Sequence, residues 1–266
     1  MTDQELVDQL EAVWASMEAL AAELSPEEWG RPTACPGWTV QDQIAHVIGI
    51  ESTILGRPGP EPATVDASHV HNDIGRVNEA WVDSRRPRSG AEVLEELREV
   101  TAARIAGLRA LPPEGFDAES WTPVGPGTVR DLLPFRVFDS WVHEQDVREA
   151  VGRPGHLEGP VAEAAVDRLV AAMPYVVGKK VRPGEGATVA FEVTGPVRRS
   201  FVVGVEGGRA RILEGHGGEP TARLAMDART FCRLGCGRLA PTGAKVTVEG
   251  DEAVGRAVLE RMNILF

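Results

Sequence analysis

The chain has 266 residues, more than one domain usually holds, so two domains that each bury a core are expected. A formal net charge of −12 argues against nucleic acid or an anionic membrane as partner, since either asks for a basic surface, and leaves small molecules. No run of about 18 apolar residues occurs and Met1-Thr-Asp-Gln-Glu is acidic where a secretory leader is basic, so the reading is cytoplasmic with no membrane partner.

Residues 3–24 place Leu6, Leu10, Val13, Met17, Leu20 and Leu24 three or four apart, the spacing of a long amphipathic helix. Ser25-Pro-Glu-Glu predicts a short helical turn: a cap, a proline at the first position and a glutamate at the third. After the break at Cys35-Pro-Gly, Thr39-Val-Gln-Asp42 reads as a capping box. It opens a helix that carries His46 and ends near Gly56. A proline- and glycine-rich loop leads to a helix expected over Ser68–Trp81, with His69, His71 and Arg76.

Another helix spans 90–111, and 112–127 reads as loop. Thr128-Val-Arg-Asp131 repeats the capping box, and Pro134 predicts a kink in the following helix or a later start. Gly152 to Pro160 permits no regular element and marks the boundary between a four-helix bundle over 1–152 and a second domain over 161–266. The helix 161–177 suits either side. Beyond Lys179 the period falls to two, as in Thr188-Val-Ala-Phe-Glu-Val-Thr and Ser200-Phe-Val-Val-Gly-Val, which predicts an antiparallel sheet with short helices near 229–234 and 252–262. The fold class is α+β.

Asp139 and His143 are four apart on one helix, with Cβ atoms roughly 5–6 Å from each other, so both face one way. With His46 from a neighbouring helix they make two imidazoles and a carboxylate, a set that holds a divalent metal and leaves positions open. Asp42 has the same spacing from His46, but its first-turn position suits a cap. Arg76 is a candidate to hold a substrate carboxylate by paired hydrogen bonds. Cys232 and Cys236 read as two buried thiols, and three cysteines make no disulfide framework.

The segment Thr33-Ala-Cys-Pro-Gly-Trp-Thr-Val-Gln-Asp-Gln-Ile-Ala-His46, with Asp139-Ser-Trp-Val-His143-Glu-Gln-Asp146 and a β-rich tail through Val246-Thr-Val-Glu-Gly-Asp251, resembles the mycothiol-dependent maleylpyruvate isomerase family. That resemblance implies a DinB-like four-helix metal domain followed by a sterol-carrier-like domain. It implies zinc or another divalent metal on His46, Asp139 and His143, with Asp139 standing where the family has glutamate. It also implies an essential arginine, for which Arg76 is the candidate, and mycothiol as thiol cosubstrate. The implied activity is isomerisation or thiol S-transfer, in which the metal-held thiol adds to a small electrophile. The alternative from another class is a non-catalytic, metal-stabilised protein that binds a small ligand.

Overall fold

A computed structural model of the chain describes residues 2–61, 69–70, 72–215 and 217–265. It divides into two compact units between His156 and Leu157.

The first unit contains α1 (Asp3–Ala22), α2 (Pro26–Trp29), α3 (Val40–Ile54), α4 (Asp73–Asp83), α5 (Gly90–Arg109), a hairpin of β1 (Glu119–Thr122) and β2 (Gly125–Thr128), and α6 (Val129–Val151). Helices α1, α2, α3, α5 and α6 all begin with a reciprocal capping box, so the ends foreseen at Ser25, Thr39 and Thr128 form as their side-chain chemistry dictates. The four long helices pack as a ring: α1 lies against α5 and α6, and α3 against the same two. Leu10, Val13, Trp14 and Met17 of α1 are fully buried there with Ile44 and Ile48 of α3, Leu97 of α5 and Leu133 of α6. The Trp14 Nε1–H donates to Ser140 Oγ at 3.0 Å, tying α1 to α6 inside the core.

Three stretches differ from the sequence expectation. The 112–127 loop contains the β1–β2 hairpin, closed by Thr122 Oγ1 donating to the Gly125 carbonyl at 2.7 Å; four-residue strands are too short to show alternation. Of the two outcomes expected at Pro134, the later start does not occur: Pro134 lies inside an α6 that begins at Val129, since a proline this close to the N-terminus sacrifices one hydrogen bond while the capping box fixes the start. Helix α4 begins only at Asp73, where the Asn72 side chain accepts from the Gly75 N–H at 2.8 Å. Ser68 and His71 fall outside the described residues, and His69 precedes the helix.

The second unit begins with α7 (Pro160–Tyr175), the helix that sequence left unassigned, which packs on β4 and β5. Its sheet comprises β3 (Thr188–Thr194), β4 (Arg199–Glu206), β5 (Arg209–Leu213), β6 (Ala222–Asp227) and β7 (Thr247–Gly250), in the order β5-β4-β3-β6-β7. All pairs are antiparallel except β3 with β6. Strand β5 is short and ends level with Ala190, so the chain re-enters beside Val189 on the far side of β3 and runs in the same direction. Helices α8 (Ala228–Gly235) and α9 (Glu252–Arg261) join α7 against the sheet. Phe191 and Phe201 stack with ring centroids 4.8 Å apart, and Phe231 of α8 meets both edge-on. Cys232 and Cys236 are buried thiols on and beside α8.

Candidate metal centre

In the first unit α3 and α6 are neighbours in the ring, which brings His46 of the one against Asp139 and His143 of the other. His46 Nε2 lies 3.3 Å from Asp139 Oδ2, and His143 Nε2 lies 3.6 Å from Asp139 Oδ1. One donor atom from each of the three falls within 4.8 Å of the other two. A tetrahedral ion with bonds of about 2.0–2.1 Å separates its ligands by about 3.3 Å, so these spacings suit one shared cation. The histidines are 4% and 6% exposed, whereas the Asp139 side chain is 30% exposed and marks the open side.

The electrostatics suit a cation as well. Burial, partly offset by the Asp139 carboxylate, pulls the His46 imidazole down to about 4, so at neutral pH it carries a lone pair rather than a second proton. Burial would raise the Asp139 carboxyl, but Arg136, His46 and His143 outweigh it and hold the group well below the ordinary carboxylate range. Imidazole nitrogens and an ionised carboxylate oxygen are the donor set of zinc and its borderline neighbours.

Behind the three side chains runs a buried chain of charge. The Arg136 guanidinium donates to Asp139 Oδ2 at 2.9 Å and to Glu51 Oε1 at 2.6 Å, and Arg104 donates to Glu51 Oε2 at 2.8 Å. Two cations and two anions cancel, which is what makes their burial tolerable. A second buried carboxylate, Glu79 of α4, accepts from the Trp38 indole at 2.9 Å and meets His69 and Arg86. Trp38 is thereby held with its ring 5.1 Å from that of His46 and 5.9 Å from that of His143, forming an apolar wall. The turn leading to Trp38 needs Gly37, whose φ is +79° and whose Cβ would meet His69 Nδ1 at 2.5 Å.

Asp42 caps α3, accepting from the Thr39 N–H at 2.9 Å, and pairs with Arg86; it is not a member of the cluster. Arg76 stands on an exposed face of α4 and pairs with Asp73, not with the cluster. The arginine that does touch the cluster is Arg136, which lies one turn before Asp139, so its spacing of three was a legible signal. Gln43 was also missed. It is fully buried, one turn before His46, and its side chain meets His143.

With this geometry fixed, comparison with known proteins decides the family. The model of the mycothiol maleylpyruvate isomerase N-terminal domain matches residues 10–148, and that of the family's C-terminal domain matches 161–257. The chain belongs to the mycothiol maleylpyruvate isomerase family. The crystal structure of a mycothiol-dependent maleylpyruvate isomerase superposes with a TM-score of 0.58 over 93% of both chains at 15% identity, which shows a shared fold. An uncharacterized protein of Mycobacterium tuberculosis is 26% identical over 93% of this chain and 90% of its own length. A second one from the same organism is 29% identical over 68% of this chain and 84% of its own. No helix among the described residues is long and apolar enough to cross a membrane.

Proposed function

We propose that this family member is a cytoplasmic, mycothiol-dependent enzyme that isomerises, or joins to the thiol, a small electrophile at a divalent metal held by His46, Asp139 and His143. The observation that carries the reading is the convergence of three donors at the spacing of one ion, with one side of the set open. A purely structural zinc normally takes four protein ligands, whereas three leave a place for a reactant. A divalent cation bound there would favour the thiolate form of an incoming thiol and so supply the nucleophile.

The residues of the chain have separable tasks. His46 is presented as a neutral imidazole without a second proton, Asp139 brings the negative charge, and Arg136 orients that carboxylate by donating to Oδ2. Trp38 excludes water from the imidazole side. Addition of the thiol sulfur to one carbon of a conjugated cis double bond leaves a rotatable single bond, and expulsion of the thiol restores the double bond as trans. If the adduct is released instead, the outcome is transfer. Arg76, exposed on α4, is proposed to engage a substrate carboxylate when one is bound.

The test uses purified protein loaded with zinc, mycothiol and maleylpyruvate as a probe electrophile, with products followed by NMR. Turnover to the trans isomer, or accumulation of an adduct, that needs both metal and thiol and is lost in His46→Ala supports the proposal. Rates equal to those of thiol alone across a panel of electrophiles contradict it.

A further inference from the structure

The nitrogen that His143 turns toward Asp139 is set by what meets the other one: Asp146 Oδ2 of the same helix lies 3.7 Å from His143 Nδ1, and the direct hydrogen bond comes from one helix away. His143 Nδ1 is hydrogen-bonded to Gln43 Oε1 in the core between α3 and α6, where Gln43 is fully buried. The same amide donates from Nε2 to Thr33 Oγ1 at 2.6 Å. Thr33 Oγ1 also accepts from the Cys35 N–H at 3.2 Å, and its own proton goes to the Trp38 carbonyl at 2.9 Å. A hydroxyl has one proton and two acceptor positions, so all three are committed. Turning the Gln43 amide over would pull the Thr33 hydroxyl proton away from the Trp38 carbonyl, which it meets at 2.9 Å, and would set the amide N–H group against His143 Nδ1. In the arrangement the structure shows, the Gln43 carbonyl faces His143, and His143 Nδ1 is the nitrogen that donates to it.

We propose that Thr33 and Gln43 are positioning residues that fix His143 as its Nδ1–H tautomer and so aim the bare Nε2 lone pair at the metal position. Nε2 and Asp139 Oδ1 then stand 3.6 Å apart as two electron-rich atoms with no proton between them, an arrangement that a cation resolves. His46 is treated differently. Its buried Nδ1 has no hydrogen-bond partner among the described residues, and its Nε2 lies 3.3 Å from Asp139 Oδ2. Without metal, His46 therefore carries its proton on Nε2 and donates it to Asp139. A cation held by His46 Nε2 would require that proton on Nδ1 instead, whereas His143 is set beforehand. The turn Thr33 to Trp38 thus serves the site through its threonine hydroxyl as well as through its indole.

The inference rests on the metal reading of the three residues, and the experiment separates the two. Nitrogen-15 shifts of the histidine rings in metal-free protein report each tautomer directly, and competition with a chromophoric chelator reports zinc affinity. Wild type should show Nδ1–H at His143 and Nε2–H at His46. Gln43→Leu should mix the His143 tautomers and weaken zinc binding about 10–100-fold, the usual cost of losing such a partner. Gln43→Glu keeps an acceptor at the same place, leaves the Thr33 hydroxyl free to donate, and should restore both readouts. If Gln43→Leu does not fold, Thr33→Val loosens the same amide and should show the same mixing.

Nε2–H at His143 in wild type, or Gln43→Leu binding zinc as wild type does, overturns the relay. His143 found as Nδ1–H in protein that takes up no metal upholds the relay and overturns the metal reading instead.

Discussion

At the scale of single residues, the first unit places ionised groups where apolar side chains would pack, and each survives through named partners. Glu51 is the sharpest case, fully buried between Arg104 and Arg136. Glu51→Gln keeps the shape and removes the charge, leaving two buried guanidinium groups to repel each other. It should destabilise the unit by about 3–5 kcal/mol in denaturant titrations, and a change below about 1 kcal/mol would mean the pair is well solvated. Glu79 gives the pH dependence. Burial would raise its carboxyl, but hydrogen bonds from Trp38, His69 and Arg86 lower it below the ordinary 4.5. A carboxyl whose folded value is depressed stabilises the fold at pH above its unfolded value, and that contribution is lost as pH falls through the folded one. Unfolding followed by tryptophan fluorescence should therefore show a steep acid limb below about pH 4.5 in wild type and a shallower one in Glu79→Gln.

At the scale of elements, much was legible because helix ends are local chemistry. Thr39 and Asp42, or Thr128 and Asp131, satisfy each other within four residues whatever the rest of the chain does. The β1–β2 hairpin and the parallel β3–β6 pair were not legible, because one is too short for periodicity and the other depends on where β5 stops. Close approach between helices is equally hidden. Gly49 of α3 faces Trp81 of α4 so closely that a Cβ would lie 2.6 Å from the Trp81 Cβ. Glycine to alanine within a helix normally stabilises by about 0.5–1 kcal/mol. Here Gly49→Ala should destabilise by about 1–3 kcal/mol, because the obstructing atoms adjoin the Trp81 backbone and cannot swing away. A raised melting temperature would show that α4 shifts outward freely.

At the scale of the molecule, the sequence brought out three candidate donors that the structure places together, but not their surroundings. His46, Asp139 and His143 could be picked out because imidazoles are rare and one pair has helical spacing. Arg136 stands three residues before Asp139 on the same helix, a signal the sequence carried, but Glu51 and Gln43 could not be ranked among so many charged and amide side chains until α3 and α6 were seen to meet. Arg76 was singled out for its guanidinium chemistry and then for the family likeness, and the structure pairs it with Asp73. What the bundle supplies is a pre-arranged half-shell of three donors in a dry wall, with one direction open at Asp139.

The account stands on that opening being a place for a thiol. The most direct measurement is the visible and near-ultraviolet spectrum of the cobalt(II)-substituted protein, titrated with mycothiol. The account predicts ligand-field bands of a low-coordinate site that shift on titration, together with a new sulfur-to-cobalt charge-transfer band, both lost in His143→Ala. A cobalt spectrum that mycothiol leaves unchanged, or a protein that retains no cobalt, would contradict it.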